Sequence, residues 1–363
     1  MLSLGSQIMP TTMSSRFQPR HNSLNALRLV LAAAVLVSHS WPLSGREPEP
    51  QLGGANLGTW AVLGFFGISG YLITRSRLSD RPAIDFYRAR ALRIMPALVV
   101  ALLVVAFVFA PLSLLLDPAA SWDPWSSVTY VARNVFLYPP APFAQPGIAD
   151  TLANVPYPLL WDGPLWTLFW EGCCYLGIGI AASVLPRKAL PATAVVGFAG
   201  LTAISLAGTF GAPVPEIALR VIPMVLAFLG GMIVLLLGDR IRQNALTIAI
   251  AVLLVAGAVL LDLAPSLAPL PFAYLLLVLG NVLPLTKVGT EYDISYGVYI
   301  YAWPVQQMLS LAGAAELPLP VYIVLVVVGT VPLAFLSSLL VERPALRLKG
   351  RRVERAAHEA PTP

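Results

Sequence analysis

Arg28 and His39 stand with ten residues between them inside a stretch, 24–41, that is otherwise almost wholly apolar and about as long as a bilayer is thick. An imidazole changes charge near neutral pH and suits proton removal from a hydroxyl, whereas a guanidinium is a permanent cation that suits an anionic partner. On a helix the steps from one to the other make about three turns, so both side chains lie on one face, separated along the axis by on the order of 16 Å. A cation and a base then share one surface at two membrane depths. Ionisable groups are costly there, and where they persist they line a substrate path or a reaction site. The competing reading is a snorkelling arginine at one boundary and a histidine at the other.

Glu171 is a further charge of this kind. It follows Gly163-Pro164-Leu165-Trp166-Thr167-Leu168-Phe169-Trp170 and sits about 12 Å inside the membrane if the helix begins at Gly163. A carboxylate at that depth needs a partner or must be neutral. Arg90 and Arg93, three apart in Tyr87-Arg88-Ala89-Arg90-Ala91-Leu92-Arg93, point the same way on a helix, a geometry for clamping a phosphate. An ordinary basic cluster on anionic lipid is the alternative.

The elements that carry these residues follow from composition. Of 363 residues, 57% are hydrophobic and 11% charged, well below the charge of an ordinary soluble domain. The expected fold is all-α, a polytopic membrane bundle of ten spans at about 24–41, 58–74, 94–116, 164–185, 190–210, 217–237, 244–263, 270–287, 294–312 and 318–340. With both ends cytoplasmic, this threading puts 20 of the 23 lysines and arginines on the inner side, leaving Arg46, Arg133 and Arg220 outside. The net charge of +5 therefore reflects topology and gives no reason to expect nucleic acid as a partner. Residues 1–23 and 342–363 are read as cytoplasmic tails flanking one transmembrane domain, 24–341. A signal peptide ending at Ser38-His39-Ser40 is disfavoured by the long polar segment before it and the nine spans after it.

Span two carries Phe65-Phe66-Gly67-Ile68-Ser69-Gly70-Tyr71, whose glycines at three-residue spacing suit close helix approach or a slender ligand. Span nine carries Ser295-Tyr296-Gly297 and Trp303-Pro304, where Pro304 deprives the Ile300 carbonyl of its donor and predicts a kink. The segment 117–162 is rich in Trp, Tyr and Pro (Trp122, Trp125, Tyr138-Pro139-Pro140, Tyr157-Pro158) and reads as an interfacial aromatic belt or a sugar-stacking platform, with a short surface helix over 127–137. Adjacent Cys173 and Cys174 read as small packing residues, and His21 and His358, in polar tails, leave no histidine cluster for a metal.

Taken in order, these motifs resemble the acyltransferase 3 family of integral membrane O-acyltransferases, which includes bacterial O-antigen and exopolysaccharide acetylases. The resemblance rests on Arg28 through His39, Phe65-Phe66 with Ser69-Gly70-Tyr71, Arg90 with Arg93, Pro164-Leu165-Trp166-Thr167 with Glu171, Ser295-Tyr296-Gly297 with Trp303-Pro304, and Val341-Glu342-Arg343-Pro344. It implies transfer of an acyl group, acetyl above all, from cytoplasmic acyl-CoA as cosubstrate to a hydroxyl of an envelope glycan, exopolysaccharide or lipid-linked sugar at the bacterial inner membrane, with no permanently bound cofactor. It also implies His39, Arg28 and Glu171 as catalytic residues. Arg90, Arg93, Ser69, Gly70 and Tyr71 fall on the donor side, and Trp166, Tyr296 and Trp303 line the acceptor cavity. Asn25 and Ala302 depart from the family pattern, which commonly has Asp and His there. A transporter or flippase of a glycan precursor is the rival reading, since charges lining a cavity suit it equally.

Overall fold

The computed structural model describes residues 12–19, 21–79, 82–136 and 147–348. Tyr138-Pro139-Pro140, His358 and the basic residues after 348 lie outside the described residues. Most of the described chain is helical. The long helices are α1 (Leu24–Leu43), α2 (Leu57–Arg77), α3 (Ala83–Val104, continuing through a π-turn at Val105–Phe109 to Ser113) and the short surface helix α4 (Pro124–Val135). They are followed by α5 (Leu165–Val184), α6 (Leu190–Thr209), α7 (Glu216–Leu236), α8 (Ala245–Leu260), α9 (Pro269–Val282), α10 (Ser295–Leu311) and α11 (Leu319–Ser337, continuing through a π-turn at Ser338–Glu342 to Leu348).

Seven of these, α1, α2, α3, α5, α6, α7 and α11, are long and apolar enough to cross a membrane. Helices α8, α9 and α10, with 16, 14 and 17 residues, are shorter than the roughly 20 residues a bilayer core asks for. The expected span at 270–287 stops at Val282 because Leu283 precedes a proline and is driven to extended backbone. Helix α3 starts at Ala83 rather than 94, so Arg88, Arg90 and Arg93 lie on the helix itself. Hydropathy marks only its apolar part, whereas Ile84 to Arg93 are sound helix formers behind Pro82.

Helix α2 lies at the centre of the bundle, against α1, α7 and α9. Its crossing with α7 depends on absent side chains. A Cβ on Gly70 would stand 1.9 Å from the Phe228 carbonyl oxygen, and one on Gly231 would stand 1.9 Å from that of Gly67. The glycine spacing in span two therefore serves backbone approach, the main attraction available between helices in lipid. Helix α10 is buried along most of its length, Gln306 and Gln307 included. That explains how a short helix with two amides is tolerated.

Between α1 and α2 the chain makes a two-residue hairpin, β1 (Gln51–Leu52) against β2 (Ala55–Asn56), and Asn56 then caps α2 by accepting from the Thr59 N–H at 2.8 Å. This loop returns over the His39 end of α1. On the same side, α4 is capped by Asp123, and Trp122 donates to Ser127 Oγ at 2.9 Å. Among the aromatic residues described in that segment, Trp161 is buried, Trp125 is 74% exposed, and Tyr157 alone lines the cavity described below.

Candidate active site

Helix α1 presents Arg28 and His39 to two voids that share lining residues. His39 lines a cavity of about 450 Å³ at the end of the bundle where α1 finishes, together with Trp166, Tyr157 and Trp303. Arg28 lines a narrow cleft of about 40 Å³ with Glu171, Ser295 and Tyr296. Val62, Thr167 and Tyr299 border both. Tyr299 and Thr167 share a hydrogen bond of 2.5 Å, and Thr167 also donates to the Pro164 carbonyl at 2.9 Å. The waist between the two voids is thus a polar pair held by the first turn of α5.

The imidazole is fixed from α10. Trp303 meets His39 edge to face, with ring centroids 4.9 Å apart, and its indole N–H donates to the Leu160 carbonyl at 2.9 Å. Gln306 donates to the Leu36 carbonyl and to Ser40 Oγ, each at 2.9 Å, tying α10 to α1 on either side of His39. Gln307 holds the neighbouring loop through the carbonyls of Tyr157 and Leu160. His39 Nδ1 is buried without a partner, which leaves Nε2 as the nitrogen free to meet a group in the cavity. A Cβ on Gly163 would fall 2.7 Å from the Trp303 ring, so this position must be glycine for the indole to lie where it does. Gly163→Val is expected to displace Trp303 with about 1–3 kcal/mol of strain and to lower turnover about tenfold or more, with membrane yield unchanged; a transfer assay on matched amounts of inserted protein checks it.

At the other end the charges form a layer. Glu171 accepts from Ser69 at 3.0 Å and from the Tyr175 hydroxyl. It belongs to the Arg28 cleft and not to the His39 cavity. Arg90 and Arg93 differ in their partners. Arg93 donates from Nη2 to Asp293 at 2.5 Å and sets Nη1 3.6 Å from Glu342, an ion pair without a hydrogen bond, so its planar fork faces two carboxylates. Burial raises the Asp293 carboxyl, but Arg93, with Arg28 behind it and hydrogen bonds from Ser295, holds it below the usual carboxylate range. The π-turn in α11 brings Glu342 to this site. Arg90 lies instead within electrostatic reach of Arg28 and Glu171, and its Nε is buried without a partner.

Of the other residues singled out in sequence, Tyr296 lines the cleft and donates to the Ile94 carbonyl at 3.1 Å. Gly70 stands at the α2–α7 crossing, and Tyr71 packs against Phe17 at 4.7 Å between ring centroids. Asn25 donates to the Gly289 carbonyl at 3.0 Å and borders a third cavity of about 700 Å³ at the start of α1, which Arg93, Arg343 and Arg347 also line. Ala302 sits in an apolar cluster with Leu36, Val298 and Tyr322. Cys173 and Cys174 are unpaired thiols.

Sequence reasoning missed Gln306, Gln307 and Glu49. The amides carried a signal, two adjacent polar residues inside a span. Glu49 sits in a polar loop and carried none.

The apolar helices are those of a helical membrane protein, with His39 on one void and Arg28 on its neighbour. A family model described as an acyltransferase domain matches residues 21–339, and the chain belongs to that family, acyltransferase 3. The protein is therefore an O-acyltransferase, and the transporter reading falls away. It is 32% identical over 297 residues to a protein named O-acetyl transferase from Shigella phage Sf6, covering 80% of this chain and 86% of that one. It is 27% identical over 369 residues to Nodulation protein 10 of Rhizobium leguminosarum bv. viciae, covering 92% and 95% respectively. No solved structure matches.

Proposed function

We propose that the protein transfers an acetyl group from cytoplasmic acyl-CoA to a hydroxyl of an envelope glycan or lipid-linked sugar at the bacterial inner membrane. The observation that carries the reading is the pair of voids on one face of α1, with Arg28 on one, His39 on the other and Val62, Thr167 and Tyr299 between them. The donor enters from the cavity at the start of α1. Arg343 and Arg347 there, and Arg90 and Arg28 deeper, supply cations for its phosphates and thioester carbonyl. The distance along α1 between Arg28 and His39, on the order of 16 Å, is comparable to an extended pantetheine arm, so the thioester reaches the waist.

The acceptor occupies the larger cavity around His39. Nε2 takes the proton from its hydroxyl as the oxygen attacks the thioester carbonyl. Collapse of the tetrahedral intermediate breaks the C–S bond, and the imidazolium returns the proton to the departing thiolate, leaving an ester and free CoA. No covalent acyl-enzyme is required.

Mass analysis of glycans from cells with and without the gene tests the reading. Loss of ester-linked acetyl groups is expected on deletion, with return when the wild-type gene is restored; an unchanged acyl complement would overturn it. The accompanying topology is ten spans with both ends inside, the short α8, α9 and α10 crossing within the shelter of the bundle. Reporter fusions check this, and a reporter active on the outer side when fused after Glu342 would contradict it.

A further inference from the structure

Glu49 is a carboxylate without a salt bridge among the described residues. It lies in the loop between α1 and β1 and lines the His39 cavity. Its two oxygens are held from opposite sides, Oε1 by the Ser38 hydroxyl and Oε2 by Asn56 Nδ2 at 2.7 Å. Ser38 immediately precedes His39 and accepts from the Gly58 N–H at 2.8 Å, while Asn56 caps α2, so the carboxylate is fixed by the same two helices that shape the cavity. No salt bridge to Glu49 is present among the described residues, and it makes no hydrogen bond to His39.

A carboxylate has about four acceptor positions on its two oxygens, and two are used. The others are left to the cavity. A half-buried anion with acceptors left unpaired and no salt bridge among the described residues bears a partial desolvation penalty, and burial raises its carboxyl despite the Ser38 and Asn56 hydrogen bonds. A ligand that brings hydroxyl donors removes that penalty. One that brings a carboxylate or phosphate makes it worse.

Resting on the acceptor assignment above, we propose that Glu49 is the acceptor-positioning residue: it receives hydrogen bonds from hydroxyls neighbouring the one that is acylated, and so selects an uncharged, polyhydroxylated sugar ring. The attacking oxygen then faces His39 because the rest of the ring is gripped from Glu49. Arg220, also on the cavity wall, is paired with Glu216 at 2.5 Å.

The test uses full-length enzyme in native membranes, radiolabelled acetyl-CoA, and de-esterified envelope glycan from the expressing cells as acceptor. Glu49→Gln should raise the KM for glycan at least tenfold, with kcat within about threefold and the KM for acetyl-CoA unchanged; Glu49→Asp should recover part of the loss. Equal thermal stability of Glu49→Gln and wild type excludes a purely structural role. An unchanged glycan KM would overturn the proposal, as would a large fall in kcat at unchanged KM, which would make Glu49 part of the proton transfer. Failure of the unaltered enzyme to label glycan at all would overturn the functional reading itself, an outcome distinct from either.

Discussion

His39→Ala is expected to abolish acyl transfer while the protein remains inserted and folded. Removing a general base lowers rates by about 10²–10⁴, and no second imidazole stands on a helix among the described residues to replace it. The lost side chain lines a cavity rather than filling a sealed core, so the structural consequence is small. Turnover is measured under conditions where chemistry limits the rate, with insertion followed on the same membranes. His39→Gln keeps a hydrogen-bonding group near Trp303 but no base, and is expected to be as inactive as the alanine variant. Wild-type-like turnover in either would remove His39 from the chemistry.

The second large effect separates Arg93 from Arg90. Arg93→Ala strands Asp293 and Glu342, two carboxylates already committed to one guanidinium, and removing one partner of such a buried network destabilises by about 3–5 kcal/mol. Loss of folded protein from the membrane is the expected result. Arg93→Lys should recover it only in part, because a single ammonium does not reproduce a fork that serves Asp293 with Nη2 and Glu342 with Nη1. Arg90→Ala has the opposite signature. Its guanidinium has no ion pair among the described residues to break, so yield should be retained while binding of a non-hydrolysable acyl-CoA analogue weakens by about 1.5–3 kcal/mol in isothermal titration. Equal yields for the two variants would contradict this division of roles.

What the sequence disclosed and what it withheld divide along a physical line. Periodicity and hydropathy located every long helix, and the spacing of Arg28 and His39 put them on one face of α1, because these are properties of a single segment. The pairing of Arg93 with Asp293 and Glu342 joins three segments, which spacing along α3 alone does not show. Gly70 and Tyr71 follow the same pattern, since their motif is local but their roles lie in the crossing with α7 and the contact with Phe17. Glu49 was invisible because a glutamate in a polar loop is ordinary until the hairpin turns it over His39. The helix ends that moved were those where helix propensity or a following proline, rather than hydropathy, sets the boundary.

The central claim is that an acyl group given at the inner face reaches a hydroxyl presented near the outer one, through the passage between Arg28 and His39. Membrane vesicles of defined orientation, supplied with radiolabelled acetyl-CoA on the outside only and carrying acceptor glycan on both sides, test this most directly. Inside-out vesicles, whose cytoplasmic face meets the donor, should label glycan in their lumen, and His39→Ala vesicles should not. Labelling by sealed right-side-out vesicles, or label confined to glycan on the donor's own side, would contradict the account.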